Sequence, residues 1–182
     1  MTTMKFFFRC CSFLFLLGCG CTSFAQENNS PQYHPDSLLT AAREIMGLQT
    51  YCALITMDSS GKPNIRTMNP FPPEQDMTVW MATNSRSRKA EEIRRNPNVC
   101  LYYSDHAHAR GYVSITGKAT LTNDPQEIQK RKRDYWTQAF PDWKYLVLIK
   151  VVPEKIEVIN YRHGIVADKV TWAVPVLDCS NH

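Results

Sequence analysis

The stretch T-N-S-R-S-R-K-A-E-E-I-R-R-N-P, residues 83–97, decides how the chain is interpreted. It follows an apolar run at 77–82 that predicts a strand, and its one-sided apolar pattern then predicts a short helix ended by the Asn-Pro pair. Ser85 or Ser87 can cap this helix, because a hydroxyl accepts a bond from a free backbone N–H. The stretch therefore predicts a strand-to-helix turn.

The charges of this turn point to an anion. The positive end of a helix dipole favours acidic residues, yet Arg86, Arg88 and Lys89 crowd the first turn, and Glu91 and Glu92 follow later. Cations beside unpaired N–H donors favour a bound phosphate, which strand-to-helix turns commonly hold. The alternative is a solvated basic turn without a ligand.

Periodicity outward from this stretch predicts a mainly β (α+β) domain. Helices are expected at 36–49, capped by Asp36, and from 124 to about 139. In the second helix, the run 130–133 is predicted to be a solvated face. Strands are expected at 51–57, 64–69, 77–82, 99–103, 112–121, 145–152, 155–160 and 170–174. Gly117 predicts a bulge or a close approach. Together these elements favour a closed or split β-barrel with short helices at its ends.

Residues 1–25 resemble an export signal. Lys5 and Arg9 form a positive start, residues 13–17 form a short apolar run, and residues 23–25 resemble a cleavage site. A competing interpretation is a bacterial lipobox at 16–19, in which Cys19 would carry a lipid. Both predict an exported protein, either periplasmic or anchored to a bacterial membrane.

Residues 26–35 are polar and predict a linker, which leaves 36–182 as the folded domain. Without Lys5 and Arg9, the chain has 19 basic and 17 acidic residues, a balance too small to indicate a nucleic-acid partner. Cys52 and Cys100 lie in apolar runs and are predicted to be buried. No cysteine spacing indicates a metal site.

Several short motifs form a recognisable set. They are Arg66-Thr67-Met68, Thr83-Asn84, Ser87-Arg88-Lys89-Ala90, Ile93, Asn96-Pro97, Val99 and Gly117-Lys118-Ala119. Together they resemble the FMN-binding split barrel of pyridoxamine 5′-phosphate oxidase and its relatives. The resemblance covers roughly residues 38–121.

The resemblance implies FMN as the cofactor. Family residues that match Arg66, Arg88 and Lys89 clamp the FMN phosphate, and others line the ribityl chain and the flavin ring. The implied cofactor-binding residues are Arg66, Thr67, Met68, Ala82, Thr83, Ser87, Arg88 and Lys89. The family also builds this site between two subunits, which implies a homodimer.

Departures from the oxidase pattern argue against vitamin oxidase activity. Phe71 stands where the oxidases carry a lysine for the substrate phosphate, and Tyr112 or Gly111 replaces a glutamine beside the flavin. The C-terminal Arg-x-His signature is missing. The paired loop histidines, His106 and His108, could bind a metal or a haem, or lie at the surface.

Three functional interpretations follow. The first is an exported FMN-dependent oxidoreductase that acts on a small organic substrate, with no catalytic acid or base identified. The second is a module that holds FMN, haem or another flat cofactor without turnover. The third is a barrel that has lost its cofactor, against which the three retained cations argue.

Overall fold

The computed structural model describes residues 33–180. The predicted leader and most of the predicted linker lie outside these residues. The helices are α1 (Pro35–Gly47), α2 (Arg88–Arg95), α3 (Pro125–Lys130) and α4 (Trp136–Ala139). The strands are β1 (Cys52–Met57), β2 (Pro63–Met68), β3 (Val79–Asn84), β4 (Asn98–Ser104), β5 (Gly111–Thr122), β6 (Leu146–Asn160) and β7 (Val176–Asp178).

The strands form one antiparallel sheet in the order β2-β1-β4-β5-β6-β3, and β7 pairs with β6. The sheet curls on itself, because an isolated bridge joins Pro70, just after β2, to Met81 of β3. The Phe71 N–H also donates to the Trp80 carbonyl at 2.8 Å. The predicted split barrel is confirmed, and its seam brings the ends of β2 and β3 together.

A bulge between β5 and β6 explains why the prediction of two strands, at 145–152 and 155–160, was wrong. Strands were expected on either side of Pro153, but β6 is continuous. Thr116 pairs with Lys155 and Gly117 with Pro153, so Glu154 is the extra residue of the bulge. Irregular pairing there accommodates a proline, which has no N–H for the ladder. Gly117 is required, since a Cβ would lie 2.1 Å from the Val152 carbonyl oxygen.

The main core lies between the curled sheet and α1, which buries Leu38, Ala41, Ala42, Ile45 and Met46. The α1 helix was predicted, although its cap is His34, which accepts a bond from the Asp36 N–H, rather than Asp36. Cys52 is buried as predicted, and burial raises the pKa of its thiol to about 11. Cys100 is only half-buried on the outer face.

The predicted helix from 124 to 139 is broken into α3 and α4. Arg131 ends α3, and its guanidinium turns inward to Glu74 and Glu127 and stacks 3.9 Å from the Trp80 ring centre. The prediction of a solvated 130–133 face is therefore wrong at Arg131, which is 7% exposed. The break also lets Trp136 become fully buried. Within residues 33–180, no helix is long and apolar enough to cross a membrane.

The last predicted strand is also wrong. Residues 170–174 begin in a tight turn, and the strand that pairs with β6 is β7, at Val176–Asp178. The turn forms because the Asp168 carboxylate accepts bonds from the backbone N–H groups of Val170 and Thr171. Such an aspartate turn competes with strand formation.

Candidate cofactor site

A cleft of about 350 Å³ lies at the seam of the barrel, beside the start of α2. Six of the eight predicted cofactor residues line it, and they come from the end of β2, the end of β3 and the start of α2. The lining residues are Thr67, Met68, Asn69, Ala82, Thr83, Asn84, Ser87, Lys89, Tyr135, Ala139 and Phe140.

The seam explains why these segments meet. Thr67 and Met68 end β2, and Ala82 and Thr83 lie near the end of β3. The bridge between Pro70 and Met81 holds the two edges together. The chain then turns directly from β3 into α2, so the helix N-terminus lies at one end of the cleft.

That end of the cleft is polar and positively charged. Ser87 caps α2 and accepts a bond from the Ala90 N–H at 3.4 Å, and its hydroxyl lies 3.3 Å from that of Thr83. The Lys89 ammonium donates to the Thr83 hydroxyl at 3.2 Å. Burial, and then the charge of Arg66, lowers the pKa of Lys89 below 10.5. An anion bound beside the ammonium would oppose both effects, because a nearby negative charge favours the protonated form.

Arg66 and Arg88 do not line this cleft; both contact Glu92. Arg66 Nη2 lies 2.9 Å from the carboxylate, and Arg88 Nε lies 3.4 Å from it. The Glu92 side chain is 5% exposed and also accepts bonds from the Thr56 hydroxyl at 2.5 Å and the Asn64 amide at 2.8 Å. A buried carboxylate therefore holds two of the three predicted phosphate ligands behind the helix start.

Each guanidinium keeps unused donors in this arrangement. Arg66 donates to Thr56 and Glu92, which occupies two of its five N–H groups. Its charge acts on Lys89, and so does that of Arg88. The helix start thus carries three cations against the single buried carboxylate of Glu92, and the local charge remains positive.

The wall opposite the barrel seam was not predicted as part of the site. Tyr135, Ala139 and Phe140 form it, in and around α4. Tyr135 is 45% exposed, and its hydroxyl accepts a bond from the Asn69 amide at 3.4 Å. The prediction of one continuous helix missed this wall, because the break before α4 is what places these side chains at the cleft.

Phe71 does not line the cleft; it packs against a second core cluster, which consists of Trp80, Trp136, Leu146 and Leu148. Its ring meets Trp136 edge-on at 6.0 Å, and the Arg133 guanidinium stacks 4.0 Å from its centre. Arg133 also donates to the Pro70 carbonyl at 2.8 Å. Pro70, Phe71 and Arg133 border a second cavity of about 350 Å³. This cavity shares Asn69 with the cleft and has Tyr103 in its wall.

The loop histidines lie away from the cleft. His108 is paired with Asp105, 3.2 Å from its carboxylate, and both histidines are exposed. Tyr112, considered as a replacement for the flavin-side glutamine, stacks on Tyr102 instead, with ring centres 5.5 Å apart. From Tyr33 to Ser180, no group of three or more His, Cys, Asp or Glu side chains is placed to hold a metal ion.

Comparison with known proteins agrees with this geometry. General stress protein 26 of Bacillus subtilis is 33% identical over 105 residues, which are 55% of this chain and 73% of that protein. A related protein of the pyridoxinephosphate oxidase family from Clostridium acetobutylicum superposes with a TM-score of 0.64 at 16% identity, over 80% of this chain and 96% of that one.

A haem-binding protein from Mycobacterium smegmatis shares the fold, with a TM-score of 0.59 at 9% identity, over 81% of this chain and 59% of that one. At such identities the two structural likenesses show the fold alone. The sequence model described as pyridoxamine 5′-phosphate oxidase, however, matches residues 38–160. The chain therefore belongs to the pyridoxamine 5′-phosphate oxidase family.

Proposed function

We propose that the protein is an FMN-binding flavoprotein and that the seam cleft is its cofactor site. The observation that carries the proposal is the meeting of Thr67, Met68, Ala82, Thr83, Ser87 and Lys89 around one cleft. The cleft matches the two-ended chemistry of FMN. Its polar end offers an ammonium and a helix N-terminus, which suit a phosphate. Its lining also includes Met68 and Phe140, whose apolar side chains suit a ring.

The phosphate would lie at the polar end, against Ser87 and Lys89. Arg66 and Arg88, held by Glu92, would add positive charge from behind the helix start. FMN, when bound, supplies the redox chemistry. The chain's own residues hold the cofactor, orient it and exclude water from one side of it.

We further propose an oxidoreductase that acts on a small organic substrate. The second cavity, beside Asn69, lies within the size range of small-molecule sites. Pyridoxamine 5′-phosphate is not the expected substrate. Phe71 is packed against Trp136 and offers no charge to a substrate phosphate. Turnover comparable with that of a vitamin oxidase would contradict this part of the proposal.

A haem module is the competing candidate, and the cleft supports it less well. Iron in haem is held by histidine, cysteine, methionine or tyrosine side chains. Of the described residues that line the cleft, none is histidine or cysteine, which leaves Met68 and the wall residue Tyr135 as candidate ligands. The absorbance spectrum of the purified protein distinguishes flavin, haem and no cofactor. A haem spectrum would overturn the flavin proposal.

We propose a homodimer, as the family resemblance implies. An apolar outer face on β1, β2 and β4 supports it: Ile65 is 69% exposed, and Tyr102 lies on the same sheet at 36% exposure. A second subunit would cover this face. Light scattering with FMN bound should give about twice the mass of one chain, and a monomer that binds FMN tightly would contradict the proposal.

We also propose export with processing of the leader. Intact-mass measurement on native material distinguishes the two routes. A chain that starts at Gln26 indicates signal-peptide cleavage, and a lipid on Cys19 indicates an anchored protein. Unprocessed protein in the cytoplasm would contradict both.

A further inference from the structure

The turn at residues 168–173 displays two large apolar side chains. Val170 is 87% exposed and Trp172 is 79% exposed, more than any other large apolar side chain between residues 33 and 180. Single exposed apolar residues are common, but two together at the tip of one turn indicate a contact surface.

The hydrogen bonds of this turn fix its shape. The Asp168 carboxylate accepts from the N–H groups of Val170 at 2.9 Å and Thr171 at 2.7 Å, and from the Thr171 hydroxyl at 2.9 Å. These bonds, that of the Thr171 N–H first, lower the pKa of Asp168. Trp172 has a φ of 59°, an unfavourable value for a bulky side chain. The Asp168 hydrogen bonds thus support a turn in which Trp172 is exposed and has an unfavourable backbone conformation.

The N-terminal part of the described chain meets the domain near this turn. The Tyr33 hydroxyl donates to the Gly164 carbonyl at 3.1 Å and accepts from the Val166 N–H at 3.1 Å. Val166 precedes Val170 by four residues, which span at most roughly 14 Å of extended chain. A lipid on Cys19, one of the two routes proposed above, would therefore hold this part of the domain near a membrane.

We propose that the turn docks on a lipid bilayer, with Val170 and Trp172 in the interfacial region and Lys169 against anionic headgroups. Tryptophan favours the membrane interface, and a lysine near an anionic surface is attracted to it. The docking leaves the cleft free, since Thr83 pairs with Val147 at the start of β6 and the turn follows its end at Asn160. It therefore goes beyond the cofactor proposal.

Vesicle binding of a chain that starts at Gln26 tests this without the leader. Such a chain retains both core clusters, whose members lie between Tyr33 and Cys179. The probe is vesicles of phosphatidylcholine and phosphatidylglycerol in equal parts. The double variant Val170→Ser, Trp172→Ser should lower partitioning by roughly ten- to a hundredfold. Tyr51→Ser is the control, because Tyr51 is 59% exposed on a different segment and should leave partitioning unchanged.

Lys169→Glu gives a second test that keeps both apolar side chains. It should lower binding to the anionic vesicles by roughly tenfold and leave binding to pure phosphatidylcholine unchanged. Lys62→Glu, in the β1–β2 turn, is its control. Failure of the wild type to bind, or binding by both turn variants as strong as that of the wild type, overturns the proposal. If the wild type does not bind vesicles and the double variant no longer has the mass of a dimer, the turn is a subunit contact instead.

Discussion

Arg66 and Arg131 both contact carboxylates, and they differ in which charge is buried. In the cluster behind the cleft, the acid is the most buried member: the Glu92 side chain is 5% exposed, whereas those of Arg66 and Arg88 are 15% and 72% exposed. In the cluster beside Trp80, the guanidinium is buried, and the acids Glu74 and Glu127 are 38% and 33% exposed.

This difference decides which cluster can bind an anion. The first presents positive charge outward from a buried acid, beside the N-terminus of α2. The second presents negative charge outward from a buried arginine, whose planar group stacks on Trp80. We infer that the first cluster serves both ligand binding and stability, whereas the second serves stability alone. Four predictions test this inference, from the largest expected effect to the smallest.

Arg66→Ala should have the largest effect. It leaves the buried Glu92 with only Arg88 as an ionic partner, which should destabilise the fold by about 3 kcal/mol. It should also weaken FMN binding roughly ten- to a hundredfold. Urea unfolding and fluorescence titration measure the two effects separately. Arg66→Ala combined with Glu92→Gln is the matched control: stability should partly return, whereas FMN affinity should not.

Arg131→Ala should lower stability by about 2 kcal/mol, less than Arg66→Ala, because Glu74 and Glu127 can regain water once the arginine is lost. The loss includes the stacking on Trp80. FMN affinity of the folded variant should be unchanged. A tenfold loss in affinity would show that this cluster is coupled to the cleft, and the comparison between the clusters would fail.

Lys89→Ala and Arg88→Ala should weaken FMN binding by roughly ten- to a hundredfold with little change in stability. Riboflavin binding should stay the same, because riboflavin has no phosphate. Arg86→Ala is the control: this arginine stacks 4.6 Å from the Tyr145 ring centre, outside the cleft lining, and its effect should be small and salt-sensitive. Equal effects of all three substitutions would favour a merely solvated turn.

The preference for FMN over riboflavin should fall as pH rises through the lowered pKa of Lys89, below 10.5. The sign follows from the charge: below that pKa the ammonium is protonated and attracts the phosphate, and above it the charge is lost. The ratio of the two affinities, measured by titration across alkaline pH, cancels changes in the shared flavin ring. The slope should disappear in Lys89→Ala, and a slope that persists there would assign it to another group.

Local pattern predicted most of the elements correctly. Alternation identified the first five strands, and the apolar stripe of α1 identified its helix, because these patterns depend on which side of an element is buried. Gly117 predicted the irregularity where β5 meets β6. The errors at β6 and α3 have a common cause: a partner distant in sequence outweighed the local signal, as the bulge at Pro153 and the inward turn of Arg131 show. The error at 170–174 is different, because there a local aspartate turn at Asp168 replaced the expected strand.

The sequence by itself identified six of the residues that line the cleft, since the order strand, basic turn and helix is local and the motifs that resemble the family are contiguous. Only the tertiary structure decided which of the predicted residues line the cleft and which pair with Glu92. It closed the barrel seam at Pro70 and Met81, which turned three segments into one cleft, and it supplied the Tyr135 wall. It also buried Glu92 behind Arg66, because charges distant in sequence meet only after the sheet has curled.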